Sequence, residues 1–133
     1  MDGVDLSTTV PPSASELRDL FAQTTWASGR SEDDLGQLVR TLDVFVCARV
    51  NGRLVGFGRA ISDGLYRALL DDVVVDEGAR GAGVGHAVVR SLMEQLAPVE
   101  EVFLNANEGL APFYEADGFE PFGGLTMVYR KRG

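Results

Sequence analysis

Apolar residues recur along this chain with two different periods. Alternation by two marks strands. Val44–Val50 alternates, the Asn51-Gly52 pair after it is a type I′ hairpin signal, and Leu54–Ser62 is the returning strand. Val4, Leu6, Thr8 and Val10 alternate as a short first strand that Pro11-Pro12 ends. Tyr66–Val75 reads as the central strand, entered through an Asp63-Gly64 turn. A helical period runs through Leu17, Leu20, Phe21 and Thr24, opened by the capping pair Ser13 and Glu16 and broken at Gly29. A second runs through Leu35, Leu38, Val39 and Leu42 behind Ser31 and Asp34, with Glu32 and Asp33 complementing the helix dipole. A third joins Val84, Ala87, Val88, Ser91, Leu92, Gln95 and Leu96 and stops at Pro98. Val99–Leu104 should then lie parallel to the central strand, because a helical crossover joins the two. A short helix over Ala111–Ala116 tolerates Pro112 in its first turn, and Phe119–Phe122 with Leu125–Arg130 form a final hairpin. Strands and helices in this order predict an α+β domain, helices covering a mixed sheet.

The junction of the central strand with the third helix carries the chemistry. Val73-Val74-Val75 is a buried β-branched run, and Arg80-Gly81-Ala82-Gly83-Val84-Gly85 follows an acidic turn and opens the helix. Glycines let backbone approach a ligand, and free amides at a helix N-terminus attract anions, so this is a phosphate cradle. It is no Walker loop, since His86 and Ala87 stand where Lys and Ser/Thr belong. Nor is it a dinucleotide fingerprint, because Gly81, Gly83 and Gly85 are spaced GxGxG.

The segment resembles the Arg/Gln-x-x-Gly-x-Gly/Ala signature of the GNAT N-acetyltransferases. A second stretch is similar to that family's closing motif: Asn107 and Tyr114 hold its spacing, and Gly118-Phe119 ends it. Leu110 departs from the pattern, standing where the family carries a small residue. The resemblance implies the GNAT acyl-CoA fold over 1–133 as a single domain. That fold is a mixed, mostly antiparallel sheet of six to seven strands flanked by about four helices, with a splay between the fourth and fifth strands. Acetyl-CoA is the implied co-substrate. Its pyrophosphate would meet Arg80 and the amides of the turn from Gly81 through Ala82, Gly83 and Val84 to Gly85, and His86 by position either touches a phosphate or is an ordinary exposed residue. Its pantetheine arm would pair with backbone at Val73, Val74 and Val75, and Asn107 would either hydrogen-bond that arm or help order the turn into the next helix.

Moving an acetyl group from a thioester to an amine requires an amine proton to leave, a developing oxyanion to be stabilised and a thiolate to be protonated. Direct transfer needs no Ser or Cys nucleophile. The resemblance places Tyr114 beside the CoA sulfur as general acid; sequence alone also reads it as a residue capping the core. Asp71 matches the acidic residue that acts as base in some members, often through water, or it is an exposed strand end. Alternation puts Asp71 and Asp72 on opposite faces, Asp71 with Val73 and Val75. The oxyanion is expected at the amide of Val75 or a neighbour. Trp26, Phe57, Arg59 and Asp71 are the candidate acceptor contacts, Trp26 either caging an amine or sealing the first two helices.

Composition narrows the partners. A net charge of −8 argues against nucleic acid and suits a cationic substrate such as an amine. One cysteine, Cys47, excludes an internal disulfide and reads as a small core residue. The acidic N-terminus lacks the regions of a signal peptide, and no apolar run approaches membrane-spanning length, so a cytoplasmic protein without membrane contact is expected. A single histidine removes most Ser-His-Asp and zinc readings, and no metal is called for. The expectation is therefore an acetyl-CoA-dependent N-acetyltransferase for a small-molecule primary amine. Acetylation of a protein N-terminus or lysine, or a CoA-binding module without catalysis, remains the alternative, and a homodimer stays open.

Overall fold

The computed structural model describes residues 3–131. Five strands form one sheet in the order β1-β2-β3-β4-β5. They are β1 (Val4–Ser7), β2 (Val44–Val50), β3 (Arg53–Ser62), β4 (Arg67–Val75) and β5 (Glu101–Phe103). β1 to β4 pair antiparallel in sequence, and β5 joins β4 in parallel. Asn51 and Gly52, at φ 50° and 80°, make the tight turn between β2 and β3 as the pattern predicted. The next turn is longer than the Asp63-Gly64 pair suggested. Asp63 Oδ1 accepts from the amides of Leu65, Tyr66 and Arg67, at 2.8, 2.8 and 3.3 Å, and so organises a four-residue loop, 63–66.

Helices α1 (Ala14–Phe21) and α2 (Glu32–Arg40) cover one face, and α3 (Val84–Gln95) covers the other. The capping box opens α1 as expected: Glu16 N donates to Ser13 Oγ at 3.1 Å, and Ser13 N to Glu16 Oε1 at 2.9 Å. Ser31 caps α2 through the amide of Asp34. α1 ends at Phe21, well before Gly29, and leaves a loop (residues 22–31) that the sequence reading had partly assigned to helix. β2 serves both layers, Phe45 and Cys47 packing under α1 and α2, Val46 and Ala48 under α3. Gly56 and Gly58 on β3 let α3 settle directly onto the sheet. A Cβ at Gly58 would stand 2.9 Å from both Leu92 Cδ1 and Val88 Cγ1. No helix among the described residues is long and apolar enough to cross a membrane.

The expected sixth and seventh strands are not formed among the described residues. Phe119–Phe122 and Leu125–Arg130 carry no sheet pairing, and Leu125, Met127 and Tyr129 are exposed. Pro121 lacks a ladder donor in the middle of the first segment, and Gly123-Gly124 weakens the start of the second. A short helix, α4 (Ala111–Glu115), precedes this stretch.

Two acid-sensitive ties secure α1 and its loop. Arg49 hydrogen-bonds the Glu16 carboxyl and holds it below its ordinary value of 4.5; Gln23 does the same for Asp76, below 3.8. A depressed folded value means the unfolded chain binds the proton more readily, so this stabilisation is present above the ordinary value and is lost as pH falls through the folded one. The thermal midpoint is therefore expected to be flat down to about pH 5 and to drop below the carboxylate range. Scans of Glu16→Gln and Asp76→Asn against pH should each show a shallower drop; parallel curves would assign the acid sensitivity elsewhere.

Candidate active site

β4 and β5 pair only at Arg67↔Glu101, Ala68↔Val102 and Leu69↔Phe103. Beyond that point they separate, so the backbone of Val73–Val75 has no strand partner on the β5 side. The splay opens a cavity of about 880 Å³. Four groups of residues wall it. Val73, Val74 and Val75 form its floor; Arg80, Gly81, Gly83, Val84, Gly85 and His86 close one end. Leu110, Phe113 and Tyr114 stand on the far side, and Gln23, Thr24, Thr25 and Trp26 come from the loop after α1.

The glycine turn is built as an anion cradle. Gly81 and Gly83 sit at φ 86° and 81°, a left-handed region that side chains resist. Gly83 caps α3 without a side-chain oxygen, leaving the first amides of the helix available to a ligand. Arg80 is exposed and donates from Nε to the Val75 carbonyl at 3.3 Å. His86 is stacked on Phe113 with ring centroids 4.3 Å apart, and its Nδ1 lies 2.7 Å from Asp117 Oδ2. Gln23 fastens the loop to the turn: its Nε2 donates to Asp76 Oδ1 at 2.7 Å, and its Oε1 accepts from the Glu77 amide at 2.9 Å.

Tyr114 stands edge-on to Phe113 and Phe119, with centroids 4.9 and 5.9 Å away. Burial alone raises its pKa above the ordinary 10.0, so the phenol stays protonated at neutral pH and is equipped to donate.

A second cluster borders the cavity. Arg59 donates from Nε to Asp72 Oδ2 at 2.7 Å and from Nη2 to Asp71 Oδ2 at 3.2 Å. Arg30 donates from Nη1 to the same Asp72 oxygen at 2.9 Å. Asp72 is wholly buried, holds φ 56°, and its Oδ1 has no hydrogen-bond partner among the described residues. It is the extra residue of a bulge, for Arg59 pairs with Asp71 while Phe57 pairs with Val74. Simple alternation is therefore broken. Ala68 and Leu70 pack toward α3 ahead of the bulge and Val73 and Val75 after it, whereas Val74 joins the core under α1. Asp71 and Asp72, expected on opposite faces, meet at one guanidinium, and Asp71 does not share the face of Val73 and Val75.

Of the residues singled out from sequence, the cavity gathers Trp26, Val73 to Val75, Arg80, Gly81, Gly83, Val84, Gly85, His86 and Tyr114. Ala82 and Asn107 are exposed and do not line it; Asn107 instead accepts the Leu110 amide through its backbone. Phe57 is fully buried, packed edge-on against Phe21 at 6.0 Å, and presents no surface to an acceptor. Asp71 lies on β4 and Arg59 opposite it on β3, both outside the lining. Sequence reasoning missed Gln23, Thr24, Thr25 and Phe113, and it missed the engagement of Arg30 and Asp72. Polar residues in a loop carry no periodic signal, although Arg30 ends the Trp-Ala-Ser-Gly-Arg run and Phe113 lies inside the closing motif.

Comparison with known proteins agrees with this geometry. Residues 12–119 match the model of the acetyltransferase (GNAT) family. An uncharacterized N-acetyltransferase of the red alga Pyropia yezoensis, ycf52, is 38% identical over 86 residues, covering 62% of this chain and 49% of its own length. The chloroplastic serotonin N-acetyltransferase 2 of Oryza sativa subsp. japonica is 39% identical over 70 residues, covering 51% and 35% respectively. The chain thus spans at most about half the length of these two curated relatives. A solved structure from Deinococcus radiodurans R1, described as an acetyltransferase, superposes with a TM-score of 0.83 at 26% identity, covering 98% of this chain and 90% of that one.

Proposed function

Because this chain belongs to the GNAT acetyltransferase family, we propose that it transfers the acetyl group of acetyl-CoA directly to a primary amine of a small molecule. One observation carries the reading. The stretch Val73–Val75, without a strand partner on its β5 side, faces a single cavity that joins the glycine cradle at α3 to the Tyr114 side chain. A pantetheine arm is a chain of amides and extends a strand edge naturally; its pyrophosphate then falls at the helix N-terminus. The single sheet with both helical layers supports a reading of 1–133 as one catalytic domain.

In this mechanism Arg80 and the amides from Gly81 to Gly85 hold the pyrophosphate, while the strand edge orients the thioester. The amide of Val75 or a neighbour stabilises negative charge developing on the carbonyl oxygen. Asp71, oriented by Arg59, takes the amine proton through water. Tyr114 returns a proton to the departing thiolate. No covalent intermediate on the protein is required.

Calorimetry with CoA, followed by acetyl-CoA-dependent thiol release across a panel of amines, tests the proposal. Binding is expected in the micromolar to millimolar range, with turnover of at least one small amine. Absence of CoA binding at millimolar ligand would defeat it. Acetylation of peptides with free N-termini but of no small amine would overturn the acceptor class and leave acetyl transfer standing.

A further inference from the structure

We propose that the acceptor carries a carboxylate beside its amine, and that Arg30 is the residue that holds this carboxylate; the proposal rests on the acetyl-transfer reading above. Arg30, Asp72, Arg59 and Asp71 form a ladder of alternating charge at the end of the cavity. Its inner rungs are covered: the Asp72 side chain is 0% exposed and that of Arg59 15%. Its two ends reach the surface, Arg30 at 33% and Asp71 at 39%. The cluster is formally neutral, so the overall acidity of the chain does not extend to it. What its ends offer a ligand is one cation, Arg30, and one anion, Asp71.

The ladder adjoins the reacting centre. Val73, the residue after Asp72, and Trp26 both line the cavity, and the Arg30 guanidinium lies 5.9 Å from the Trp26 ring. That guanidinium is fixed in advance. Asp72 Oδ2 accepts from Nη1, and the Phe21 ring lies 5.3 Å away. Among the described residues no other nitrogen of the Arg30 side chain donates to the protein, so the rest of the planar fork is available for a carboxylate. A side chain held by ion pair and stacking loses little freedom on binding, which favours recognition over a purely solvated role.

The test uses matched acceptors with acetyl-CoA in the thiol-release assay: phenylalanine, phenylalaninamide and phenethylamine, then leucine, leucinamide and 3-methylbutylamine. The amide and the decarboxylated amine bracket the free acid in amine basicity. The free acids are expected to exceed both neutralised forms in kcat/KM by roughly 10–100-fold, mainly through KM, as for one charge-assisted contact. Arg30→Gln should collapse that ratio toward one, and Arg30→Lys should restore part of it. The ratio, unlike the absolute rate, does not move when a variant is merely less stable. Equal or better turnover of the decarboxylated amines, or a ratio that persists in Arg30→Gln, overturns the assignment and leaves acetyl transfer intact. Turnover of none of these acceptors, with CoA still bound, overturns the carboxylate assignment, and the wider amine panel then decides acetyl transfer separately.

Discussion

Tyr114→Phe is expected to lower kcat by about 10²–10⁴-fold while leaving the KM for acetyl-CoA nearly unchanged. The substitution keeps the ring and its edge contacts with Phe113 and Phe119, and removes only the hydroxyl. An effect confined to the chemical step follows if the phenol acts in the transition state and adds little to ground-state binding. Because burial lifts the phenol above its ordinary 10.0, its own titration should not appear in the rate profile between neutral pH and that value. A variant that matches the unmodified chain at saturating acceptor, with chemistry demonstrably limiting, would remove Tyr114 from the role of acid.

Gly83→Val is expected to abolish measurable CoA binding, a loss of at least about 100-fold. Two effects combine there. A β-branched residue resists φ 81°, and its methyl groups occupy space the pyrophosphate needs. Gly64→Val separates them: that glycine holds φ 80° in the β3–β4 loop, with nothing within 4 Å of an added Cβ. If strain alone mattered, both variants would lose stability and retain affinity in proportion to the folded fraction. The cradle assignment requires that Gly83→Val lose affinity while folded and that Gly64→Val keep it, measured by calorimetry at a temperature well below both thermal midpoints.

Much of this architecture is legible in the residues, and the exceptions share a cause. Ser13 with Glu16, Asn51-Gly52 and the Val84–Leu96 stripe announce their structures because each is a local interaction, decided within a few residues. The glycine cradle and Tyr114 are legible as motifs for the same reason. Phe57 reads as a pocket residue, yet it is sealed beneath α1, since burial depends on which helix lands on it. Asp71 and Asp72 mislead for a similar reason: the bulge that reunites them is decided by Arg59 across the sheet and Arg30 from a distant loop. The missing hairpin reflects a pattern in which Leu125, Met127 and Tyr129 alternate correctly without a partner strand to receive them.

The bulge at Asp72 acts as a change of parity in β4. Up to Leu70 the even positions look toward α3; from Val73 onward the odd positions do. Length is therefore a stricter constraint than identity at this point of the strand. Replacing a side chain there alters only the contacts of that side chain. Removing one residue would exchange the two sides of everything that follows, sending Val74 toward α3 and Val73 and Val75 into the core beneath α1, and turning each peptide group of the cavity floor by half a revolution. Homologous sequences that carry the same chemistry should thus vary in composition at the positions flanking Asp71 and Asp72 far more readily than in the number of residues between Leu70 and Gly81.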